Sequence, residues 1–267
     1  MNNSPIGIFD SGMGGLSVWR VLHEALASES LIYLGDGARC PYGSRTREEV
    51  VQYTFEAVER LLAEGCKLIV VACNTATAMA ITALRTRYPQ IPFVGLEPAV
   101  KPAALHTRSG VIGVLATERS FDGELFRRTS AQFADKVRII KAVGEGFVEA
   151  VEQNREDAPA TEALVRRAVE PLIEAGADKI VLGCTHYPFL RSVIERVTAG
   201  RDVEIIDSSE AVERRVEHLL DEGNLRAARD HTPQYRFLTF ADAAYAERLR
   251  RKAMDEDAKK IASENLK

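Results

Sequence analysis

Short runs of apolar residues, rich in valine and isoleucine, alternate along the chain with longer segments in which apolar residues recur every three or four positions. The runs predict buried parallel strands, and the longer segments predict amphipathic helices. Strands are predicted at 6–10, 31–34, 91–96, 111–117, 137–142, 203–206 and 235–240, and in the two runs that end at Cys73 and Cys184. Helices are predicted at 16–26, 46–64, 76–88, 145–154, 160–175, 189–198 and 208–220. This alternation is typical of an α/β protein with mainly parallel sheets flanked by helices.

The chain contains a duplication that is visible in these apolar runs. The run that reaches Cys73 is repeated, in altered form, as the run that reaches Cys184, at an offset of 184 − 73 = 111 residues. The strand that leads to Thr117 repeats the first strand, which leads to Ser11, at an offset of 117 − 11 = 106 residues. A repeat of this length predicts two similar units in one chain.

The repeat also suggests where the two units divide. We expect a first α/β domain formed by residues 1–98 together with a C-terminal return at 208–267, and a second domain formed by 99–207. The charged run from Asp255 to the end of the chain is expected to be a solvated helix.

Composition and charge narrow the class of protein. The chain has 267 residues, 46% of them hydrophobic, and a formal net charge of −4, so composition does not favour a nucleic-acid or anionic-membrane surface. No apolar run approaches the roughly 20 residues of a transmembrane helix, and the first ten residues lack the design of a signal peptide. Four cysteines with no CxxC pair indicate free thiols in a reducing compartment. We therefore expect a cytoplasmic protein that binds neither nucleic acid nor membrane.

A glycine-rich loop follows the first strand. Its spacing, Gly12-x-Gly14-Gly15, places Ser17 where a dinucleotide fingerprint needs its third glycine, and Asp10 would repel a pyrophosphate. Nucleotide binding is therefore not favoured. Backbone NH groups at the start of a helix can instead receive a small carboxylate, which leaves Asp10 to face an ammonium group or a thiol.

Two of the four cysteines carry the candidate chemistry. Cys73 and Cys184 each stand at the carboxyl end of a strand, precede a helix, and are followed by two polar residues where a core would prefer apolar ones. Forming a thiolate at neutral pH requires roughly 2 kcal/mol from a nearby cation, hydrogen bonds or a helix N-terminus. His186 is the only histidine beside a cysteine, and no second compact Cys/His pair completes a metal site. Cys66 is interpreted as a small buried hydrophobic residue.

Four motifs together resemble those of the glutamate racemases, which are cofactor-independent members of the aspartate/glutamate racemase superfamily. The motifs are Asp10-Ser11-Gly12-x-Gly14-Gly15, Pro41-Tyr42-Gly43, Cys73-Asn74-Thr75-Ala76 and Cys184-Thr185-His186-Tyr187-Pro188. The resemblance runs in order from residue 6 to about residue 220. It implies interconversion of L- and D-glutamate for bacterial peptidoglycan, by two thiols on opposite faces of a substrate held in a cleft between two pseudo-symmetric domains. It implies no cofactor and no metal.

The resemblance also implies residue roles. Cys73 and Cys184 correspond to the proton-transferring thiols, and Asp10, His186 and Glu152 correspond to groups that tune them. The residues that correspond to substrate-binding positions are Asp10, Ser11, Pro41, Tyr42, Gly43, Asn74, Thr75, Thr117, Thr185 and His186. Glu152 is weakly patterned, and an exposed helical glutamate is an equal alternative. Ser120 stands where many relatives have threonine and keeps the hydroxyl.

Two further expectations concern regulation and assembly. The chain begins almost at its first strand, without the N-terminal extension through which some relatives respond to a peptidoglycan precursor, so the resemblance leaves activation of that kind open. A homodimer remains possible, because relatives are commonly dimers.

Elementary chemistry agrees with the implied activity. Inverting an α-carbon requires proton removal from one face and delivery to the other, for which two bases are better placed than one. The carbanion also needs preorganised hydrogen-bond donors, for which Ser11, Asn74, Thr75 and Thr185 are candidates. The substrate is then a small molecule, L- or D-glutamate.

Three other functions stay open at this point. A relative that acts on aspartate would keep both cysteines. A hydrolase or amidotransferase with a cysteine nucleophile would use Cys and His, but it gives no reason for a second equivalent thiol. An amino-acid-binding protein would share the two-domain cleft but would have no use for paired cysteines.

Overall fold

Strands and helices alternate along residues 1–264, which are the part of the chain that this computed structural model describes. The strands are β1 (Ile6–Asp10), β2 (Leu31–Gly35), β3 (Leu68–Val71), β4 (Phe93–Gly95), β5 (Val111–Ala116), β6 (Arg138–Val143), β7 (Lys179–Gly183), β8 (Glu204–Ile206) and β9 (Tyr235–Thr239). The α-helices are α1 (Leu16–Ala25), α2 (Arg47–Ala63), α3 (Asn74–Arg87), α4 (Val100–His106), α5 (Glu118–Phe121), α6 (Glu124–Phe133), α7 (Phe147–Glu152), α8 (Pro159–Glu174), α9 (Arg191–Thr198), α10 (Ser209–Glu222) and α11 (Ala243–Glu264). Short 3-10 helices lie at Tyr42–Ser44 and Tyr187–Leu190.

The strands form two parallel sheets with the same internal order. The five-stranded sheet is ordered β4-β3-β1-β2-β9, and the four-stranded sheet, taken from its other end, is ordered β8-β7-β5-β6. Ile6 pairs with Leu68 in the first sheet and Ile112 pairs with Lys179 in the second, at offsets of 112 − 6 = 106 and 179 − 68 = 111 residues. These are the offsets of the sequence repeat, so the predicted α/β fold with two similar units is confirmed.

The last strand belongs to the first sheet. β9 pairs in parallel with β2, so the chain returns to the first sheet after it has completed the second. This membership is compatible with the predicted domain bounds, which stay a prediction.

Each sheet is covered by hydrophobic residues on both faces. Alternate residues of β1 point to opposite sides, so Ile6 and Ile8 enter one core cluster and Phe9 enters the other. In β7, Ile180 and Val181 divide in the same way between the two clusters of the second sheet. Burial on both faces explains why these strands are continuous apolar runs.

The helix boundaries mostly follow the sequence pattern. Thr46 Oγ1 accepts a hydrogen bond from the Glu49 amide (3.2 Å), and Glu49 Oε2 accepts one from the Thr46 amide (2.8 Å), which forms the expected capping box of α2. Helices α4, α5 and α6 were not predicted. They are short, with seven, four and ten residues respectively, and Phe126 is a buried anchor of α6.

The C-terminal helix packs on the first sheet and α1. Tyr245, Leu249 and Ala253 of α11 are buried in the core cluster of β1 and α1. The structure follows the helix backbone to Glu264, and residues 265–267 of the predicted terminal helix lie outside the described residues. Among the described helices, none is both long and apolar enough to cross a membrane.

Candidate active site

The carboxyl ends of the two sheets meet at a cleft, and the predicted site residues stand at these ends. Asp10 ends β1 and Cys184 follows β7, while Cys73 comes two residues after β3. Thr185 Oγ1 donates a hydrogen bond to Asp10 Oδ1 across the cleft (2.9 Å). The chain therefore uses the position where open α/β sheets hold their ligands, once from each sheet.

A cavity between the sheets brings together the predicted substrate-binding residues. Its lining comprises Ser11, Pro41, Tyr42, Gly43, Cys73, Asn74, Thr75, Thr117, Val148, Cys184, Thr185 and His186. Every predicted substrate-binding residue except Asp10 is in this lining, and Val148 is an addition that was not predicted. The free volume is about 10 Å³, which is room for at most one water molecule.

A larger cavity of about 700 Å³ opens beside it and shares Asn74 with it. Its lining includes several arginines but neither Cys73 nor Cys184. We therefore place the candidate active site in the smaller cavity, where both thiols lie.

Cys73 is a thiol held at the start of a helix. Its Sγ accepts a hydrogen bond from the Ala76 amide (3.4 Å) and lies 3.6 Å from Ser11 Oγ. Burial, together with the negative charge of Asp10, raises the pKa of Cys73 to about 12, although the Ala76 amide opposes this shift. In this arrangement Cys73 carries its proton and can act as an acid.

Cys184 faces a histidine and a glutamate in series. His186 Nδ1 lies 3.9 Å from Cys184 Sγ, and His186 Nε2 lies 2.7 Å from Glu152 Oε1. Burial alone would lower the pKa of His186, but hydrogen bonds to Cys184, Cys40 and Glu152 raise it well above its usual value. Burial alone would raise the pKa of Glu152, but the hydrogen bond and charge of His186 lower it. The pair is therefore an imidazolium and a carboxylate, which place a positive charge beside the Cys184 sulfur.

Asp10 lies behind the cavity wall rather than in the cavity. Its side chain is fully buried, and Oδ2 accepts from the Gly12 amide (2.9 Å) while Oδ1 accepts from Thr185. Burial raises the pKa of Asp10, and the charge of His186 and these hydrogen bonds oppose the shift. In this structure Asp10 therefore holds the glycine loop and Thr185 in place and adds negative charge near Cys73.

The glycine-rich loop is explained by close approach to the second domain. A Cβ on Gly14 would lie 2.3 Å from His186 Nδ1, and a Cβ on Gly12 would lie 2.1 Å from Glu152 Oε1. The backbone can therefore pass these two side chains only if it carries no side chain of its own there. The amide of the intervening residue, Met13, donates to Glu152 Oε1 (2.6 Å).

Hydroxyl groups form a second connection across the cleft. Thr75 Oγ1 of the first unit lies 3.0 Å from Thr117 Oγ1 of the second, and Ser120 Oγ lies 2.8 Å from Thr117 Oγ1. The hydroxyl that Ser120 retains therefore takes part in the network. These groups can exchange partners with a bound carboxylate because each can both donate and accept.

The buried carboxylate of Asp36 holds the Pro41-Tyr42-Gly43 loop in place. Tyr42 Oη donates to Asp36 Oδ2 (2.6 Å), and Arg39 Nε donates to the same oxygen (2.6 Å). Gly43 lies against Thr117, to whose Cβ a side chain at position 43 would approach within 3.2 Å. The loop can therefore present backbone groups to the cavity in a defined position.

Sequence reasoning missed three residues around Glu152. Tyr245 Oη donates to Glu152 Oε2 (2.8 Å), and the Arg248 guanidinium donates to the Glu152 carbonyl. Cys40 has a ligand atom within 4.8 Å of those of Glu152 and His186. The apolar pair Tyr245 and Leu249, four residues apart in a polar helix, indicates a buried face of α11. Nothing local in the sequence indicates that Cys40 reaches this cluster.

Comparison with known proteins agrees with this geometry. A family described as Asp/Glu/Hydantoin racemase matches residues 6–215. The chain is 49% identical over 221 residues to a glutamate racemase of Roseiflexus sp. (strain RS-1), covering 83% of this chain and 81% of the relative. It is similar to the crystal structure of a glutamate racemase isoform of Bacillus anthracis (TM-score 0.84, 33% identity, 96% and 95% of the two chains). It is also similar to that of a Francisella tularensis glutamate racemase in complex with D-glutamate (TM-score 0.82, 26% identity, 96% and 95%).

Proposed function

The chain belongs to the Asp/Glu/Hydantoin racemase family and is an isomerase, and on this premise we propose that it interconverts L- and D-glutamate by proton transfer through two thiols. The relatives that it resembles over most of their length are glutamate racemases, and one of the similar structures holds D-glutamate. The product D-glutamate would supply peptidoglycan synthesis. A cytoplasmic location and a homodimer stay predictions.

One observation supports the two-thiol mechanism above all others. Cys73 and Cys184 occupy equivalent positions in two repeated units, and both line a single small cavity. A duplicated thiol has no use in a hydrolase with one nucleophile, whereas inversion of a carbon centre needs one group for each face.

For the reaction from L-glutamate, we propose that Cys184 acts as a thiolate and Cys73 as a thiol. The imidazolium of His186 stabilises the thiolate, which removes the α-proton, while the carbanion takes the proton of Cys73 on the other face. The enzyme then holds Cys73 as thiolate and Cys184 as thiol, which is the state that accepts D-glutamate. Hydroxyl and amide groups of Ser11, Asn74 and Thr75 stabilise the negative charge that develops toward the carboxylate.

Substrate entry must involve opening of the cleft. A free volume of about 10 Å³ cannot hold glutamate, and the two units are joined across it by the Asp10–Thr185 and Thr75–Thr117 hydrogen bonds. We propose that the units separate to admit substrate and close to exclude water, which strengthens the electrostatic interactions at the thiols.

The proposed function is tested by racemisation in deuterated water. Purified protein, dialysed against EDTA without pyridoxal phosphate, should racemise L-glutamate as followed by circular dichroism, and L-aspartate should react much more slowly. Each D-glutamate formed should carry one α-deuterium by mass spectrometry, whereas the remaining L-glutamate should still carry protium at early times, because each face exchanges with its own thiol.

Three results would contradict the proposal. Activity that EDTA removes and a metal restores would exclude a cofactor-independent mechanism. Substantial protium in early D-glutamate would indicate one base that serves both faces. Faster turnover of L-aspartate than of L-glutamate would assign a different substrate.

Replacing Tyr245 by phenylalanine should lower kcat for glutamate by about tenfold with little change in KM. The substitution removes the hydrogen bond to Glu152 Oε2, and a hydrogen bond to a charged group contributes about 1.5–3 kcal/mol. Tyr88→Phe is the matched control, because Tyr88 Oη also donates to a glutamate, Glu59, but on the protein surface (2.9 Å). Equal activity of the two variants would show that Tyr245 does not position Glu152.

A further inference from the structure

A cluster of three metal-binding residue types lies beside the active site. Among the residues that the structure describes, Cys40, Glu152 and His186 each offer one ligand atom, and the three atoms lie within 4.8 Å of one another. Cys40 comes from the loop after β2, whereas Glu152 ends α7 and His186 follows β7. The donor set therefore combines one residue from a loop of the first sheet with two residues of the second unit.

The donor atoms suit a zinc ion. Thiolate sulfur, imidazole nitrogen and carboxylate oxygen are the three ligand types that Zn²⁺ prefers, and three protein ligands with one open position form a common zinc arrangement. In a tetrahedral site the donors stand about 3.4 Å apart. The contact of 2.7 Å between His186 Nε2 and Glu152 Oε1 would widen by about 0.7 Å, and Cys40 would move inward.

A metal ion can reach this cluster without entering the substrate cavity. A groove of about 550 Å³ is lined by Cys40, Glu152 and Tyr245, among others, and by neither Cys73 nor Cys184. The third residue of the cluster, His186, lines the substrate cavity instead. The groove and the substrate cavity share only Pro41 and Val148. The side chain of Glu152 is 15% exposed, so its carboxylate is accessible from this groove.

We propose that Cys40, Glu152 and His186 form a binding site for Zn²⁺ and that occupation of this site inhibits racemisation. The inhibitory effect rests on the proposed function, because it presupposes that His186 serves Cys184. Ligation displaces the protons of the Cys40 thiol and of His186 Nε2 into solvent, since a coordinating thiol is deprotonated and an imidazole binds metal through its neutral form. His186 is then fixed as a ligand, and its ring, whose Nδ1 lies 3.9 Å from Cys184 Sγ, can no longer adjust its position to that sulfur during turnover.

The inhibition arm of the test compares three thiol variants at buffered free Zn²⁺. Racemisation of saturating D-glutamate is followed by circular dichroism, with free Zn²⁺ set by nitrilotriacetate. Cys40→Ser should require at least about tenfold more free Zn²⁺ for half-inhibition than the unaltered enzyme. Cys66→Ser is the matched control, because Cys66 is also a free cysteine but lies in the core away from the cluster, and it should be inhibited like the unaltered enzyme. Cys40→Ala repeats the comparison in case the serine variant folds poorly.

The binding arm uses Co²⁺ as a spectroscopic probe and does not depend on activity. A thiolate–Co²⁺ charge-transfer band in the near ultraviolet should appear in the unaltered enzyme, in Cys66→Ser and in the inactive Cys73→Ala, and it should be absent from Cys40→Ser. Equal Zn²⁺ sensitivity of Cys40→Ser, or loss of the band in Cys73→Ala, would overturn the proposal and assign the metal to the cleft thiols. A band that depends on Cys40 in a protein without racemase activity would instead retain the metal site and reject the proposed function.

Discussion

Replacing either Cys73 or Cys184 by alanine should lower the rate of glutamate racemisation by a factor on the order of 10⁴. Each substitution removes the group that exchanges a proton on one face, and the remaining thiol cannot reach the other face of a substrate held in the cavity. Both directions should fail, because every turnover passes a proton through both thiols. The measurement is circular dichroism with L-glutamate and, separately, with D-glutamate.

Cys66→Ala provides a matched control for these variants. Cys66 and Cys73 are both 5% exposed and belong to the same core cluster, but only Cys73 lines the cavity. The two alanine variants should therefore lose similar packing, and a thermal melt should show similar small shifts, while only Cys73→Ala loses activity. Near-normal turnover of either Cys73→Ala or Cys184→Ala in both directions would contradict the two-thiol mechanism.

The sequence predicts the two sheets because their strands have a strong local pattern. Parallel strands that are buried on both faces have sequences of consecutive apolar residues. The duplication then indicates which strands of the two sheets correspond, as the pairing of Ile6 with Leu68 and of Ile112 with Lys179 shows. Helices α4 to α6 were missed for the opposite reason. Each has at most ten residues, which is shorter than the window of roughly 11–18 residues over which a helical period is recognised.

The sequence predicted the site residues that follow strands, but it did not predict the residues that reach the site from distant parts of the chain. Cys184 follows β7 directly and Cys73 comes two residues after β3, so the topology places each thiol at the carboxyl edge of its own sheet. Tyr245 reaches Glu152 across 93 residues, and Cys40 belongs to the other half of the repeat. Contacts of this kind depend on how two domains and a C-terminal helix pack together, which spacing along the chain does not encode.

The glycine-rich loop has a role that its sequence pattern does not reveal. Its spacing does not favour a dinucleotide fingerprint, but only the structure shows that Gly12 and Gly14 give room to Glu152 and His186 of the second unit. The same closeness lets the Met13 amide donate to Glu152. The loop therefore links the first unit to the charged pair behind Cys184.

Replacing His186 by asparagine should lower kcat/KM for glutamate by about 10²-fold or more. The substitution removes the positive charge beside Cys184 Sγ and leaves the Glu152 carboxylate, still hydrogen-bonded to the Met13 amide and Tyr245, without its ionic partner. His218→Asn is the control, because the His218 side chain is 59% exposed and its partner Glu222 lies on the surface of α10. Unchanged kcat/KM in His186→Asn would show that the charge of His186 does not support proton transfer at Cys184.

A thermodynamic constraint links the kcat/KM values of the two reaction directions in His186→Asn. L- and D-glutamate are mirror images with equal free energy in water, so the equilibrium constant is one and the kcat/KM values in the two directions must fall by the same factor in any variant. The asymmetry of the site can appear only in kcat and KM taken separately. His186 contacts Cys184 and not Cys73, so its loss destabilises the enzyme form that has a Cys184 thiolate, which is the form that binds L-glutamate. We therefore expect KM for L-glutamate to rise relative to KM for D-glutamate. The ratio of the two kcat values should change by the same factor. An unchanged ratio of the two KM values would show that His186 stabilises both thiols equally.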